Sequence, residues 1–153
     1  MYCIDANVWE YFFDSGLDEH ERVRDPVAEI LADEPVFTTT VLQMEVVHYL
    51  TNQLADSEPS VDRFLRLEDV TVAELTSDDV DRAATLLAEH DGTGIGGRDA
   101  TVLAAMERYD VERLWTHDTG LKRLDDRLDW LTVTDPAELP VRGDRPGRVA
   151  SPR

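Results

Sequence analysis

The sequence predicts an α/β fold: a Rossmann-like three-layer domain with a parallel sheet of roughly five strands and helices on both faces. Three observations carry that expectation. Short apolar runs recur along the chain and alternate with segments whose apolar residues fall at helical spacing. With 153 residues, 42% of them hydrophobic, the chain can bury one full core. No internal repeat interrupts the alternation.

Taken in order, residues 1–4 read as a buried strand. Asn7 then caps a helix, with Glu10 three residues on in a near capping-box pattern and Val8 and Phe12 on its inner face. Residues 14–25 are polar and loop-like. Pro26 suits the first turn of a second helix through Leu31, with Val27, Ile30 and Leu31 inward. Val36-Phe37-Thr38 is the second strand. The helix from Thr40 to Leu54 has apolar residues nearly all round, which predicts deep burial. Pro59 to Leu67 is a further helix with Val61, Phe64 and Leu65 inward, and Val70 to Leu75 is the third strand.

Ser77 to His90 is an amphipathic helix with Val80, Ala83, Ala84 and Leu87 on one face. A glycine-rich loop, residues 91–97, leads into a helix from Arg98 to Tyr109, on which Asp99, Val102, Leu103 and Met106 share a stripe. Arg113 to His117 is the fourth strand, with Asp118 at its carboxyl end; Leu121 to Leu128 is a short helix and Leu131 to Val133 the fifth strand. Residues 1–135 are expected to form the domain. Residues 136–153, rich in Pro, Gly and Arg, read as a flexible tail.

Composition narrows the function classes. No apolar run approaches the roughly 20 residues that span a bilayer, and no basic stretch precedes an apolar one as in a secretory leader. The expected location is the cytoplasm, without a membrane partner. Cys3 is the only cysteine, so neither an internal disulfide nor a cysteine-rich zinc site is available, and its place in an apolar run predicts a small buried side chain. The 33 acidic and 15 basic residues give a net charge of −18, and Lys122 is the one lysine. Clear hydrophobic periodicity argues against disorder. The acidity reads instead as a halophilic surface, as in halophilic archaea, where about 1 M salt shortens the Debye length to about 3 Å and screens self-repulsion.

Four acids sit where a pocket can form. Asp5 and Asp118 each follow a strand, and parallel sheets bind ligands beyond the carboxyl ends of their strands. Glu45 lies among Val41, Leu42, His48 and Tyr49, where a carboxylate loses hydration and needs a donor, a proton or a cation; an arginine ion pair is the plain alternative. Asp99 heads the core stripe of its helix, where a helix-dipole role is the plain alternative; capping serves Asp118 in the same way. Clustered carboxylates repel unless a cation intervenes, and oxygen-only ligands suit Mg²⁺ or Mn²⁺. Two such ions about 3.5–4 Å apart can activate water and clamp a phosphate. Gly92, Gly94 and Gly97 have the spacing of a dinucleotide-binding loop, but a helix rather than a strand precedes them. The four histidines show no ligand spacing, and no serine nucleophile elbow is present.

These residues resemble a PIN-domain ribonuclease, particularly the VapC-type toxins of type II toxin–antitoxin pairs, over roughly residues 1–135. Ile4-Asp5-Ala6-Asn7 is similar to the family's opening motif, Glu45 to its helix glutamate, Arg98-Asp99-Ala100 to its third motif, and Thr116-His117-Asp118 with Gly120-Leu121 to its fourth. The resemblance implies endonucleolytic cleavage of RNA and one or two Mg²⁺ or Mn²⁺ ions on Asp5, Glu45, Asp99 and Asp118. Asn7 and Thr116 would hold carboxylates in place. It also implies a homodimer and an antitoxin that covers the site. Thr119 stands where some relatives carry another acid, which bears on the second ion. Arg142, Arg145, Arg148 and Arg153 are not family features, and solvent is their expected surrounding rather than RNA phosphates. Two other classes stay open. A haloacid-dehalogenase-type phosphohydrolase would use Asp5 as nucleophile, but it needs a second Asp at the position of Asn7. A non-catalytic binding module could keep the PIN fold.

Overall fold

A computed structural model describes residues 1–140. Its elements run β1 (Tyr2–Ile4), α1 (Ala6–Phe13), α2 (His20–Asp33), β2 (Val36–Thr39), α3 (Thr40–Gln53), α4 (Glu58–Leu65), β3 (Val70–Ala73), α5 (Ser77–Glu89), α6 (Gly97–Arg108), β4 (Arg113–Trp115), α7 (Thr119–Lys122) and β5 (Thr132–Thr134). The five strands form one parallel sheet in the order β3-β2-β1-β4-β5. All four residues of β2 are buried, so both faces of the sheet are covered there, as the apolar runs predict. From β1 the chain builds outward to β2 and β3, then returns to place β4 on the other side of β1. The order therefore reverses between β1 and β4, and that crevice is where such sheets bind ligands.

The core joins the sheet to its helices through Ile4, Phe37, Leu42, Leu50, Leu86, Leu103, Met106, Leu114 and Leu124, all fully buried or nearly so. Trp9 is fully buried in an aromatic cluster with Phe12, Phe13 and Phe64. Cys3 is buried and unpaired, and burial first, with the Asp5 charge second, pushes its thiol well above the ordinary range. No helix among the described residues is long and apolar enough to cross a membrane.

Several elements differ from the sequence expectation, each for a physical reason. The first helix is capped by Asp5, whose side chain accepts from the Ala6 N–H, so Asn7 lies inside α1 and Glu10 is no capping partner. The second helix starts at His20, and Pro26 is interior. Val23, Val27 and Ile30 form one buried stripe, and Arg22, whose carbonyl loses its helical donor at Pro26, is exposed to water. On α3 only Leu42, Val46 and Leu50 are buried and Met44 is 61% exposed, so this helix buries a stripe rather than its whole circumference. Leu65 points outward. The inner face of α5 is Asp79, Ala83 and Leu86 rather than Val80, Ala83, Ala84 and Leu87. Asp79 turns inward because it closes a capping box with Thr76 and pairs with Arg108 on α6 at 2.9 Å.

The third strand ends at Ala73, the fourth at Trp115, and α7 is a four-residue turn from Thr119. The packed unit also continues past residue 135. Pro136–Glu138 form a 3-10 turn against α2, with Pro136 and Ala137 buried and Asp135 as its cap. The rest of the expected tail, including Arg142, Arg145, Arg148 and Arg153, lies outside the described residues.

Candidate functional site

The switch between β1 and β4 fixes the first two acids. Asp5 leaves β1 with its N–H bonded to the Trp115 carbonyl of β4 (2.9 Å), so the two strand ends are tied together. The fully buried Thr116 hydroxyl donates to Asp5 Oδ2 at 2.6 Å and accepts from the Asp118 N–H at 3.0 Å. One hydroxyl thus orients the Asp5 carboxylate and the backbone that presents Asp118. The other Asp5 oxygen accepts from Ala6 N–H (2.8 Å), and Asp118 Oδ1 accepts from Leu121 N–H (2.9 Å), which caps α7. Asn7 bonds to neither carboxylate in this arrangement. Its Oδ1 accepts from the His117 N–H at 3.3 Å, so it holds the turn between Thr116 and Asp118.

Glu45 and Asp99 form the second half. Glu45, on α3, pairs with Arg98 Nη1 at 2.6 Å; its side chain is 23% exposed against 72% for Arg98. Asp99 lies in the first turn of α6 and accepts from Gly96 N–H at 3.1 Å. The loop before it is pressed onto the turn after Asp118. Arg123 Nη1 donates to the Thr93 carbonyl (3.0 Å), and Gly94, at φ +88°, lies against Gly120. A Cβ on Gly120 would sit 3.0 Å from the Gly94 carbonyl carbon and 3.1 Å from Asp118 Oδ1, so only glycine allows this approach.

Charge ties the two halves together. Burial, opposed by the Thr116 and Ala6 hydrogen bonds and assisted by the charges of Asp99 and Glu45, pushes the Asp5 carboxyl up to about 6. Burial also raises Glu45, against the pull of Arg98 and with the push of Asp99. Asp99 is raised by burial, against its Gly96 hydrogen bond, and further by Asp118. Asp5, Glu45, Asp99 and Asp118, delivered by four separate segments, therefore lie in one electrostatic field. They are not gathered into a ligand set: among the described residues, no three acidic, histidine or cysteine side chains stand close enough to ligate one ion in this conformation. The donor chemistry fits a hard cation, since partly buried carboxylates raised by acidic neighbours, Asp5 by Asp99 and Glu45, Glu45 by Asp99, and Asp99 by Asp118, are stabilised by positive charge. The spacing fits only if the side chains, Glu45 above all, rearrange.

A fifth acid belongs to the same field. Burial and the charges of Asp5 and Glu45 raise Glu10 to about 7. The signal was available in the sequence: Glu10 is the one charged residue in the helix Ala6–Phe13, the same argument that singled out Glu45. Reading it as a capping partner hid it. On the other flank, His117 Nδ1 and Lys122 Nζ converge on Asp135 Oδ2 at 2.7 and 2.8 Å, and Tyr11 meets the His117 ring edge-on. Burial pushes Asp135 up, but the Lys122, His117 and Ala137 hydrogen bonds outweigh it and hold the carboxyl below its usual range.

The sequence model of the PIN domain matches residues 2–127. No curated protein sequence matches the chain. Among solved structures, VapC20 of Mycobacterium tuberculosis, described as a sarcin–ricin loop cleaving toxin, is 18% identical, with a TM-score of 0.67 over 80% of this chain and 94% of that one. VapBC2 of Rickettsia felis bound to promoter DNA is 12% identical, with a TM-score of 0.62 over 88% and 97%. A toxin–antitoxin complex of Klebsiella pneumoniae is 20% identical, with a TM-score of 0.60 over 89% and 98%. At these identities the structures share the fold, and the sequence match spans most of the chain: the protein belongs to the PIN domain family.

Proposed function

We propose that the protein is an endoribonuclease dependent on Mg²⁺ or Mn²⁺, and that it serves as the toxin of a toxin–antitoxin pair. The observation that supports this best is that Asp5 ends β1 at the switch beside β4, where the charges of Asp99 and Glu45 raise it and the charge of Asp118 raises Asp99. These four would hold the metal. A divalent ion bound there supplies a polarised water and neutralises charge on the scissile phosphate. The chain's own part is to aim the carboxylates. Thr116 fixes Asp5 and the Asp118 backbone, Gly96 N–H holds Asp99, and Asn7 holds the turn at His117. Asp5 must be deprotonated to bind a cation, so metal binding weakens as pH falls through about 6. RNA as substrate, a homodimer, a cytoplasmic location and a cognate antitoxin over the site complete the proposal. Two of the similar structures are toxin–antitoxin complexes.

The test is RNA cleavage in molar KCl with Mn²⁺ or with excess EDTA. Cleavage is expected with Mn²⁺ alone, and Asp5→Asn and Asp99→Asn are expected to abolish it while the circular dichroism spectrum is retained. Full activity in EDTA would sink the proposal. One observation favours a second reading, a non-catalytic PIN-fold module: Glu45 already has a cationic partner in Arg98. Calorimetry separates the two, since that module binds no Mn²⁺ at millimolar concentration. The phosphohydrolase alternative loses its lysine, because Lys122 is engaged by Asp135 and Glu138.

A further inference from the structure

We infer that Arg98 is the internal counterion of the metal site: its guanidinium and a divalent cation compete for the Glu45 carboxylate. The inference rests on the metal-dependent reading above and concerns what occupies the site before metal does. Glu45 is the most enclosed partner in the pair, and Arg98 reaches it from the solvent side with one nitrogen at 2.6 Å. Arg98 also opposes, without overcoming, the burial that raises Glu45 and the neighbouring Asp99. A carboxylate that faces Asp99 and is partly desolvated is stabilised by whichever positive charge is at hand.

The bonds of the other three acids single out Glu45. Asp5 and Asp118 share Thr116, and Asp99 is fixed on its own helix start, so three acids are pinned by short local bonds. Glu45 has a long side chain, and its ion pair is made with the exposed Arg98 guanidinium rather than with the backbone. It is the acid free to change partner. An exposed guanidinium gains little from staying, because most of its field is screened by water. A divalent cation gains more from an all-oxygen set that includes Glu45. Metal binding therefore releases Arg98, and removal of Arg98 leaves Glu45 waiting for metal.

The experiment is equilibrium Mn²⁺ binding, followed by electron paramagnetic resonance of free Mn²⁺ in molar KCl, on the full chain and on Arg98→Ala, Arg98→Lys and Arg66→Ala. Arg66 pairs with Asp62 on α4 and controls for the loss of one positive charge away from the site. Arg98→Ala is expected to bind Mn²⁺ about two- to fivefold more tightly than the parent, within the range of an exposed ion pair. Arg98→Lys should fall between, and Arg66→Ala should match the parent. The thermal midpoint gives an independent readout. Arg98→Ala should melt below the parent in EDTA, and the gap should narrow in saturating Mn²⁺, because the variant binds the same ion more tightly and gains more stability from it. Equal or weaker Mn²⁺ binding by Arg98→Ala overturns the competition while leaving the metal-dependent reading intact. Absence of Mn²⁺ binding by every protein overturns that reading and this inference with it.

Discussion

Asp5→Asn should make the metal-free protein more stable at pH 8 and leave it nearly unchanged at pH 4. In the folded state the Asp5 carboxyl is raised from 3.8 to about 6, chiefly by burial and only secondarily by Asp99 and Glu45. A raised folded value means that the native state holds a proton the unfolded chain gives up. The stabilisation from neutral Asp5 is complete below about pH 3.8 and is lost as pH rises through about 6. Above that, the ionised side chain costs the fold about 3 kcal/mol, taking about two pKa units at 1.36 kcal/mol each. Asparagine removes that cost but not for free. Its oxygen can still accept from Ala6 N–H, whereas the Thr116 hydroxyl loses a charged acceptor, which returns about 1–2 kcal/mol. The net gain at pH 8 is then about 1–2 kcal/mol, or roughly 3–6 °C in the midpoint for a chain of this length. Thermal melts in molar KCl and EDTA at pH 4 and pH 8 measure it. A variant less stable than the parent at pH 8, or a gap of the same size at both pH values, would refute the burial argument.

Further outcomes follow from the same bonds. Glu10→Gln should stabilise the metal-free protein above pH 7 and not at pH 4, because its folded value of about 7 has the same sign as that of Asp5; urea titrations at the two pH values check this. Gly120→Ala should lower Mn²⁺ affinity and RNA cleavage with little loss of secondary structure, since the added methyl displaces the Gly94 backbone and with it the loop that leads to Asp99; unchanged metal binding would show the loop to be tolerant. Asp79→Ala should cost about 1 kcal/mol, the usual worth of a helix cap, because it removes the acceptor of the Thr76 N–H along with both Arg108 guanidinium bonds, read as a drop in the denaturation midpoint. Arg108 holds Asp79 below its usual range, so the pair's contribution is present above the ordinary aspartate value and is lost as pH falls through the lowered one.

Alternation of apolar runs was enough to read the parallel sheet and the place of Asp5 and Asp118 beyond its strands, because strand burial and helix periodicity are local properties. What escaped depends on contacts made across the fold. The face of α5 could not be read from Val80 and Leu87, since the inward residue, Asp79, is drawn in by Arg108 from another helix. The start of α2 was hidden by Pro26, whose usual preference for a first turn is outweighed by the buried stripe from Val23 to Ile30. In the site, Asp5 and Asp118 were legible as strand-end acids, but their shared hydroxyl at Thr116 became a physical bond only in three dimensions. An arginine partner for Glu45 is one of the options its sequence setting offers, and the actual partner, Arg98, stands next to another site acid.

The Asp135 anchor changes where the domain can be cut. The family match stops at residue 127, and a chain ended there keeps every acid of the site. It also loses β5, which pairs with β4 through Arg113↔Thr132 to Trp115↔Thr134, and it loses the carboxylate that grips His117 and Lys122. β4 would then be an open sheet edge beside the crevice, with unpaired donors and acceptors that invite a strand from another molecule. Such a truncated protein is expected to aggregate through the edge nearest its own crevice, so the shortest version worth making runs through the buried turn at Pro136–Glu138.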